Sequence, residues 1–540
     1  MERLAVIGLD AAEPEFLERL IAEGRLPTLA RLRTQSARCQ LHSEATWRAG
    51  RVWETLLTGT ADFPSANLFD TSKYQSWQLG ARKKTPFYAD FPGLNVLAID
   101  VPYMSLWYDV PGAQVVWGGH DAGYPRASRP AGLLREIDAR FGVHPAFHND
   151  FTCAWWDERS INTLTDALIV GSQRRCEIIG WLCERFPDWD LLLTVLSEAH
   201  SAGEIFWHGV SDGHPLSLVP TAPLARRRLI ETYQELDRAV ERIVSQLPRG
   251  TRVLLTTVHG METNDYDVPS MALLPELLYR ACTGNSLLRA DSAAAWRRDG
   301  CPAVVPTASE KWSDYVRDRF GQGPLARGWR RIARGLGLQR RPPIHELSVP
   351  IKPEVDAAPE QIAEPRYSLE WQVTSWYRQH WPRMRAFAVP VFYDGRVRIN
   401  LRGRESQGLV EPGDYAATCD WVEQLLSECR DVRTGRAIVQ HIERRRADDP
   451  LRLDGADADL VIGWQRGIEA IEHPRLGTIG PLPYRRTGGH TDHGFAWLSG
   501  KGVAPGDFGD QEALDLTATV RRLLGDSRAG RSVFERRRAA

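Results

Sequence analysis

The stretch Arg3-Leu4-Ala5-Val6-Ile7-Gly8-Leu9-Asp10-Ala11-Ala12-Glu13-Pro14 decides the fold. Its apolar run is short and unbroken, stops at a carboxylate, and gives way to a helical pattern over Glu15–Arg33. That order reads as a buried strand, an acidic loop and a helix, the opening of a βα unit. Runs of the same kind occur at Asn95–Ile99, Leu191–Leu196 and Arg252–Thr257, and helical patterns at Leu164–Arg185 and Pro223–Gln246 lie between or beside them. Apolar strands alternating with amphipathic helices predict an α/β fold: a doubly wound, mostly parallel sheet flanked by helices.

The alternation stops near Arg280. Residues 281–365 are rich in Pro, Gly, Arg and Trp and read as an inserted cap between a first part of the core, 1–280, and a second part, 366–525. In the second part, strand-like runs at Phe387–Phe392 and Arg396–Leu401 flank the hairpin signal Asp394-Gly395. A helix over Tyr415–Cys429, an apolar run at Ala458–Trp464 and a Gly-rich stretch around Gly488–Gly500 follow, and 526–540 reads as a basic tail.

Composition narrows the function classes. The 540 residues carry 68 basic and 69 acidic side chains, a formal net charge of -1. Nucleic-acid binding is not expected, because its footprint is a strong basic excess. The basic clusters Arg226–Arg228, Arg330–Arg341 and Arg536–Arg538 read as solvated faces. No apolar run approaches the roughly 20 residues that cross a bilayer, and the short run at Leu4–Leu9 does not make a signal segment. The 8 cysteines are scattered without a Cys-x-x-Cys pair and read as free buried thiols. A cytoplasmic location and no membrane partner are the corresponding expectations.

Open parallel sheets place ligands at the carboxyl ends of their strands. Asp10, the Glu198/His200 pair and His259 all fall at such ends. If Ser197–His208 is helical, His200, Glu204 and His208 stand four apart on one face, a spacing at which imidazole and carboxylate share a divalent ion. Arg485-Arg-Thr-Gly-Gly-His-Thr-Asp-His-Gly494 adds two more imidazoles, His490 and His493, in a loop whose glycines permit close approach. Taken singly, each has a plainer reading: a helix cap, a polar helix edge, a solvent-facing turn.

These segments together resemble the alkaline phosphatase superfamily, in its type I phosphodiesterase/nucleotide pyrophosphatase branch. The resemblance rests on Val6–Leu32, Trp53-Glu-Thr-Leu-Leu-Thr-Gly59, Thr257-Val-His-Gly-Met261, Arg398–Glu405 and Thr487-Gly-Gly-His490. It implies an alkaline phosphatase-like fold and one or two divalent ions, zinc first and Mn or Fe after it. By position, Asp10, His259 and His490 match family ligands. His200 stands where the family has Asp, Glu204 where it has His, and Val258 replaces the Asp of an Asp-His pair. The family nucleophile position falls on Ala49, so Thr46, the nearest hydroxyl, or a metal-activated water is the implied nucleophile. Asn400 and Arg404 are the implied substrate contacts.

The function so implied is metal-dependent hydrolysis of a phosphoester, a phosphodiester or a nucleotide-type anhydride, on a small phosphorylated substrate. Two alternatives stand beside it: a sulfate or phosphonate ester hydrolase of the same superfamily, and an inactive relative that binds a ligand or partner. The sulfatase Cys-x-Pro-x-Arg is missing from the sequence.

Overall fold

The computed structural model describes residues 2–43, 52–61, 69–70, 75–76, 85–102, 104, 106, 110–118, 126–146, 153–289, 296, 302–306, 311–321, 372–445, 448–453 and 457–535. Among the described residues, nine strands form the main sheet, in the order Gly506–Glu512, Ala37–His42, His493–Ser499, Arg252–Thr257, Leu4–Leu9, Leu191–Leu196, Val96–Ile99, Gly112–Val116, Ala127–Arg129. Leu4–Leu9 is central and runs parallel to both neighbours, with Leu4 opposite Leu191 on one side and Arg252 on the other.

Leu4–Leu9 is buried along its whole length because both faces of the sheet are covered. Its pleat sends Ala5, Ile7 and Leu9 into one apolar core and Leu4 and Val6 into another. The first core holds the helices Pro14–Ala22, Glu158–Arg185 and Ala222–Gln246; the second holds Val52–Thr58 and Asp515–Leu523. The doubly wound, mostly parallel sheet is therefore present.

Local punctuation changed several elements. The pattern over Glu15–Arg33 is two helices, Pro14–Ala22 and Pro27–Gln35, because Gly24 takes a left-handed φ of 70° and Pro27 starts a new first turn. The Gly-rich stretch near Gly494 is not a loop. Residues His493–Ser499 form an antiparallel strand inside the main sheet, between Arg252–Thr257 and Ala37–His42, with Phe495, Ala496, Trp497 and Leu498 buried.

Only part of the segment after residue 366 returns to that sheet. Ala386–Ala388, Gly395–Ile399, Leu460–Trp464 and Val439–Arg444 make a separate four-stranded antiparallel sheet, in that order. The Asp394-Gly395 hairpin forms, with a longer connection, residues 389–394, than its turn signal implied. The tail reading fails as far as residue 535: Val533 is fully buried and the Phe534 ring packs edge-on against Phe508. Most of 281–365 lies outside the described residues. Among the described residues, the cysteines form no disulfide, and no helix is long and apolar enough to cross a membrane.

Candidate active site

Asp10 sits where Leu4–Leu9 ends, its backbone N–H still bonded to Leu196 O at 2.9 Å. The next residue, Ala11, holds a left-handed φ of 51°, a conformation that costs a non-glycine residue energy and turns the chain sharply off the sheet. Two residues before Asp10, Gly8 leaves space for an indole: a Cβ there would lie 2.4 Å from Trp53 Cη2. Trp53 thus crosses the strand and donates from Nε1 to Asp10 Oδ1 at 2.5 Å. The same oxygen lies 2.9 Å from His259 Nε2, so two donors converge on one buried carboxylate.

His259 follows the neighbouring strand Arg252–Thr257. A Cβ at Gly260 behind it would stand 2.1 Å from Glu13 Oε2, so Glu13 could keep this place only beside glycine. Glu13 itself accepts the Met261 N–H at 2.7 Å, and burial pushes its carboxyl up to about 7.

A short antiparallel pair brings in the fourth segment. Met261–Thr263 pairs with Gly488–His490, with Met261 opposite His490. Gly488 and Gly489 let that strand seat on the helix Glu198–Phe206 and on Tyr266, for added Cβ atoms would stand 2.2 Å from Gly203 O and 2.1 Å from Tyr266 Oη. Thr487 N–H closes the contact on Glu204 O at 2.7 Å. The His490 ring then lies 4.4 Å from that of His259 and 4.8 Å from that of His200, centre to centre. One donor atom from each of His200, Glu204 and His490 falls within 4.8 Å of the others, a spacing able to hold a metal ion.

Three residues that the sequence reading passed over complete the surroundings. Arg486, fully buried, pairs with Glu204 Oε1 and, through Nε, with Asp267 Oδ2 at 2.7 Å. Burial pushes the Glu204 carboxyl up, but Arg486, with His200 and Arg485, outweighs it, and the net shift is downward: Glu204 is held as a carboxylate. Tyr393, on the hairpin connection, places its hydroxyl 2.8 Å from His490 Nδ1 and fixes that ring, as outer partners of ligand imidazoles do. The available signals were Arg486 inside the 485–494 loop, an acidic pair at Asp265/Asp267 soon after His259, and a tyrosine beside Asp394-Gly395.

Asp10, His200, Glu204, His259 and His490 are thus brought together from four separated stretches of chain. His208 is not among them. The α-helix ends at Phe206 and continues as a 3₁₀ turn, Trp207–Gly209, so the four-residue spacing is lost. The His208 ring packs near Trp155 and His214 instead. Glu198 turns to the fully buried Arg175, 2.6 Å away. Asn400 and Arg404 are corrected too. Asn400 Nδ2 donates to Trp381 O and Met384 O, at 3.0 and 2.9 Å, and Arg404 clasps Asp459 and Glu405 with only 3% of its side chain exposed. Both side chains hold the second sheet together rather than facing a substrate. Thr46 and Ala49 lie outside the described residues.

The fold is a doubly wound α/β sheet with a buried cluster of imidazoles and carboxylates at the carboxyl ends of its strands. Residues 4–318, more than half of the 540, match the family described as type I phosphodiesterase / nucleotide pyrophosphatase, and the chain belongs to that family. No curated protein matches the sequence. Among solved structures, human ectonucleotide pyrophosphatase / phosphodiesterase 5 is similar at 11% identity and a TM-score of 0.42, covering 98% of this chain and 96% of that one. The alkaline phosphatase PafA gives 10% identity and a TM-score of 0.45, over 97% and 96%. Phosphonoacetate hydrolase from Sinorhizobium meliloti 1021, in complex with phosphonoformate, gives 11% and 0.39, over 96% and 94%. At that distance these chains lend no residue roles to this one.

Proposed function

We propose that this hydrolase is divalent-metal dependent and acts on a phosphodiester or a nucleotide-type anhydride. The observation that carries the reading is the convergence of His200, Glu204 and His490 at one point, beside Asp10 and His259. Two imidazoles and an ionised carboxylate suit zinc, and also Mn²⁺ or Fe²⁺. Among the described residues no further three-donor set lies within this active-site cluster, and Val258 offers no donor where the family has a carboxylate. One ion is therefore the reading, held by His200, Glu204 and His490.

When bound, such an ion polarises phosphoryl oxygens and lowers the pKa of a bound water. The chain's own groups do the rest. Arg486 keeps Glu204 charged, and Tyr393 orients His490. Asp10 Oδ1 lies against His259 Nε2, and this carboxylate–imidazole pair would take up the proton of an attacking hydroxyl, Thr46 or water, as oxygen bonds to phosphorus and the ester or anhydride P–O bond to the leaving group breaks. A diester or anhydride, whose reacting phosphoryl group carries less negative charge, is favoured over a monoester because one cation balances less substrate charge than two would.

Metal counting on the purified chain, with turnover of bis(p-nitrophenyl) phosphate, a thymidine p-nitrophenyl monophosphate and p-nitrophenyl phosphate, tests this. Chelation and His490→Ala should each remove the ion and lower diester or anhydride turnover by about 100-fold or more. Turnover unchanged by chelation and by replacement of His200 or His490 would end the reading.

A further inference from the structure

We propose that His42, Asp492 and His493 form a second, auxiliary divalent-metal site, separate from the active-site cluster and selective for zinc-like ions. The strands Ala37–His42 and His493–Ser499 are antiparallel, and His42 lies directly opposite His493 in their register, so both imidazoles project from the same face. Their Nδ1 atoms are 3.3 Å apart, and His493 Nδ1 is 3.4 Å from Asp492 Oδ1. An ion with tetrahedral bonds of roughly 2.0–2.1 Å separates its donors by about 3.3–3.4 Å. One donor atom from each of the three residues falls within 4.8 Å of the others.

A plain hydrogen bond between the rings explains less. A single ring nitrogen offers one hydrogen or one lone pair, yet His493 Nδ1 faces both another imidazole nitrogen and a carboxylate oxygen. A cation at the centre satisfies all three groups at once. Asp510, on the far side of the Ala37–His42 strand, has Oδ1 3.7 Å from His42 Nε2, the ring nitrogen that a metal at Nδ1 leaves as a donor; that is an ion-pair distance, which a small side-chain rotation would shorten to a hydrogen bond. Two imidazoles with one carboxylate favour Zn²⁺ over Mg²⁺ or Ca²⁺, which prefer oxygen. Side-chain exposures of 34% for His42 and 57% for His493 leave room for water as a fourth ligand.

The site would act as a clamp. His42 ends a strand, and the Ser43 N–H is bonded to Asp492 O at 2.8 Å, so the ion would tie this strand end to the turn that follows His490. None of its donors belongs to the active-site cluster.

Equilibrium dialysis of the full chain against Zn²⁺ alone, with metal counting and Co²⁺ spectra, tests the proposal. The wild type should hold one equivalent more than the double variant His42→Asn/His493→Asn. A His200→Asn/His490→Asn variant should keep that same equivalent, with its Co²⁺ absorption. Asp510→Asn should leave the count intact and weaken the site's affinity by about 10–100-fold. If the double variant does not fold, Asp492→Asn serves alone, with the same equivalent weakened or lost. Equal Zn²⁺ content in the wild type and in the folded clamp variants, or loss of both equivalents from His200→Asn/His490→Asn, overturns the proposal.

Discussion

The indole of Trp53 and the carboxylate of Asp10, 43 residues apart in sequence, are joined by a hydrogen bond of 2.5 Å from Nε1 to Oδ1. The bond exists because Gly8 has no side chain in the indole's path. Gly8→Ala would drive its Cβ into the Trp53 ring and should cost about 1–3 kcal/mol of stability. Trp53→Phe keeps most of the packing but removes a donor to a buried carboxylate, for about 1–3 kcal/mol. Thermal melts of both variants check this. A Gly8→Ala protein that melts with the wild type would show that Trp53 does not cross the strand.

Arg486 is placed between two buried carboxylates, Glu204 and Asp267. Removing one member of such a network leaves charge buried without a partner, so Arg486→Met should destabilise by about 3–5 kcal/mol. Adding Asp267→Asn in the same chain should restore part of the loss. A stability change under about 0.5 kcal/mol, as for an exposed arginine, would contradict the buried network.

Arg404 and Asn400 should behave as structural residues. Arg404→Met leaves Asp459 without its guanidinium partner and should lower stability by about 3–5 kcal/mol. In whatever fraction remains folded, KM should not move. A tenfold rise in KM at unchanged melting temperature would return these residues to the substrate.

Glu469 supplies a pH test away from the active site. Burial pushes its carboxyl up to about 7, against the pull of Arg433 and the hydrogen bond from Trp296. Between about pH 4.5 and 7 the folded chain keeps a proton here that the unfolded chain has lost, so stability falls as pH rises through that window. Glu469→Gln should remove this fall, and the difference between the two proteins across the window should approach about 3 kcal/mol. Glu13, also pushed up to about 7, contributes to both proteins and cancels in the difference. Parallel stability–pH curves would refute the shift.

How far the sequence could be read differs between strands and site. Leu4–Leu9, Leu191–Leu196 and Arg252–Thr257 were legible because a strand covered on both faces must be an unbroken apolar run. His493–Ser499 was not, since the glycines around it suggested a loop while its pairing with Ala37–His42 and Arg252–Thr257 comes from far along the chain. His208 was misplaced for a similar reason. The helix tightens at Trp207, and nothing in the four-residue spacing announces a 3₁₀ turn.

From residue order alone came the alternation of strands and helices, and with it the location of Asp10, His200 and His259 at strand ends, where a parallel sheet gathers its ligands. Tertiary structure decided which polar groups meet: Trp53 with Asp10, Arg486 with Glu204, Tyr393 with His490, His42 with His493. Hydrophobic periodicity is a local property, printed in every few residues. These hydrogen bonds and ion pairs join side chains from 43 to 451 residues apart, and only the folded path of the backbone sets the distance between them.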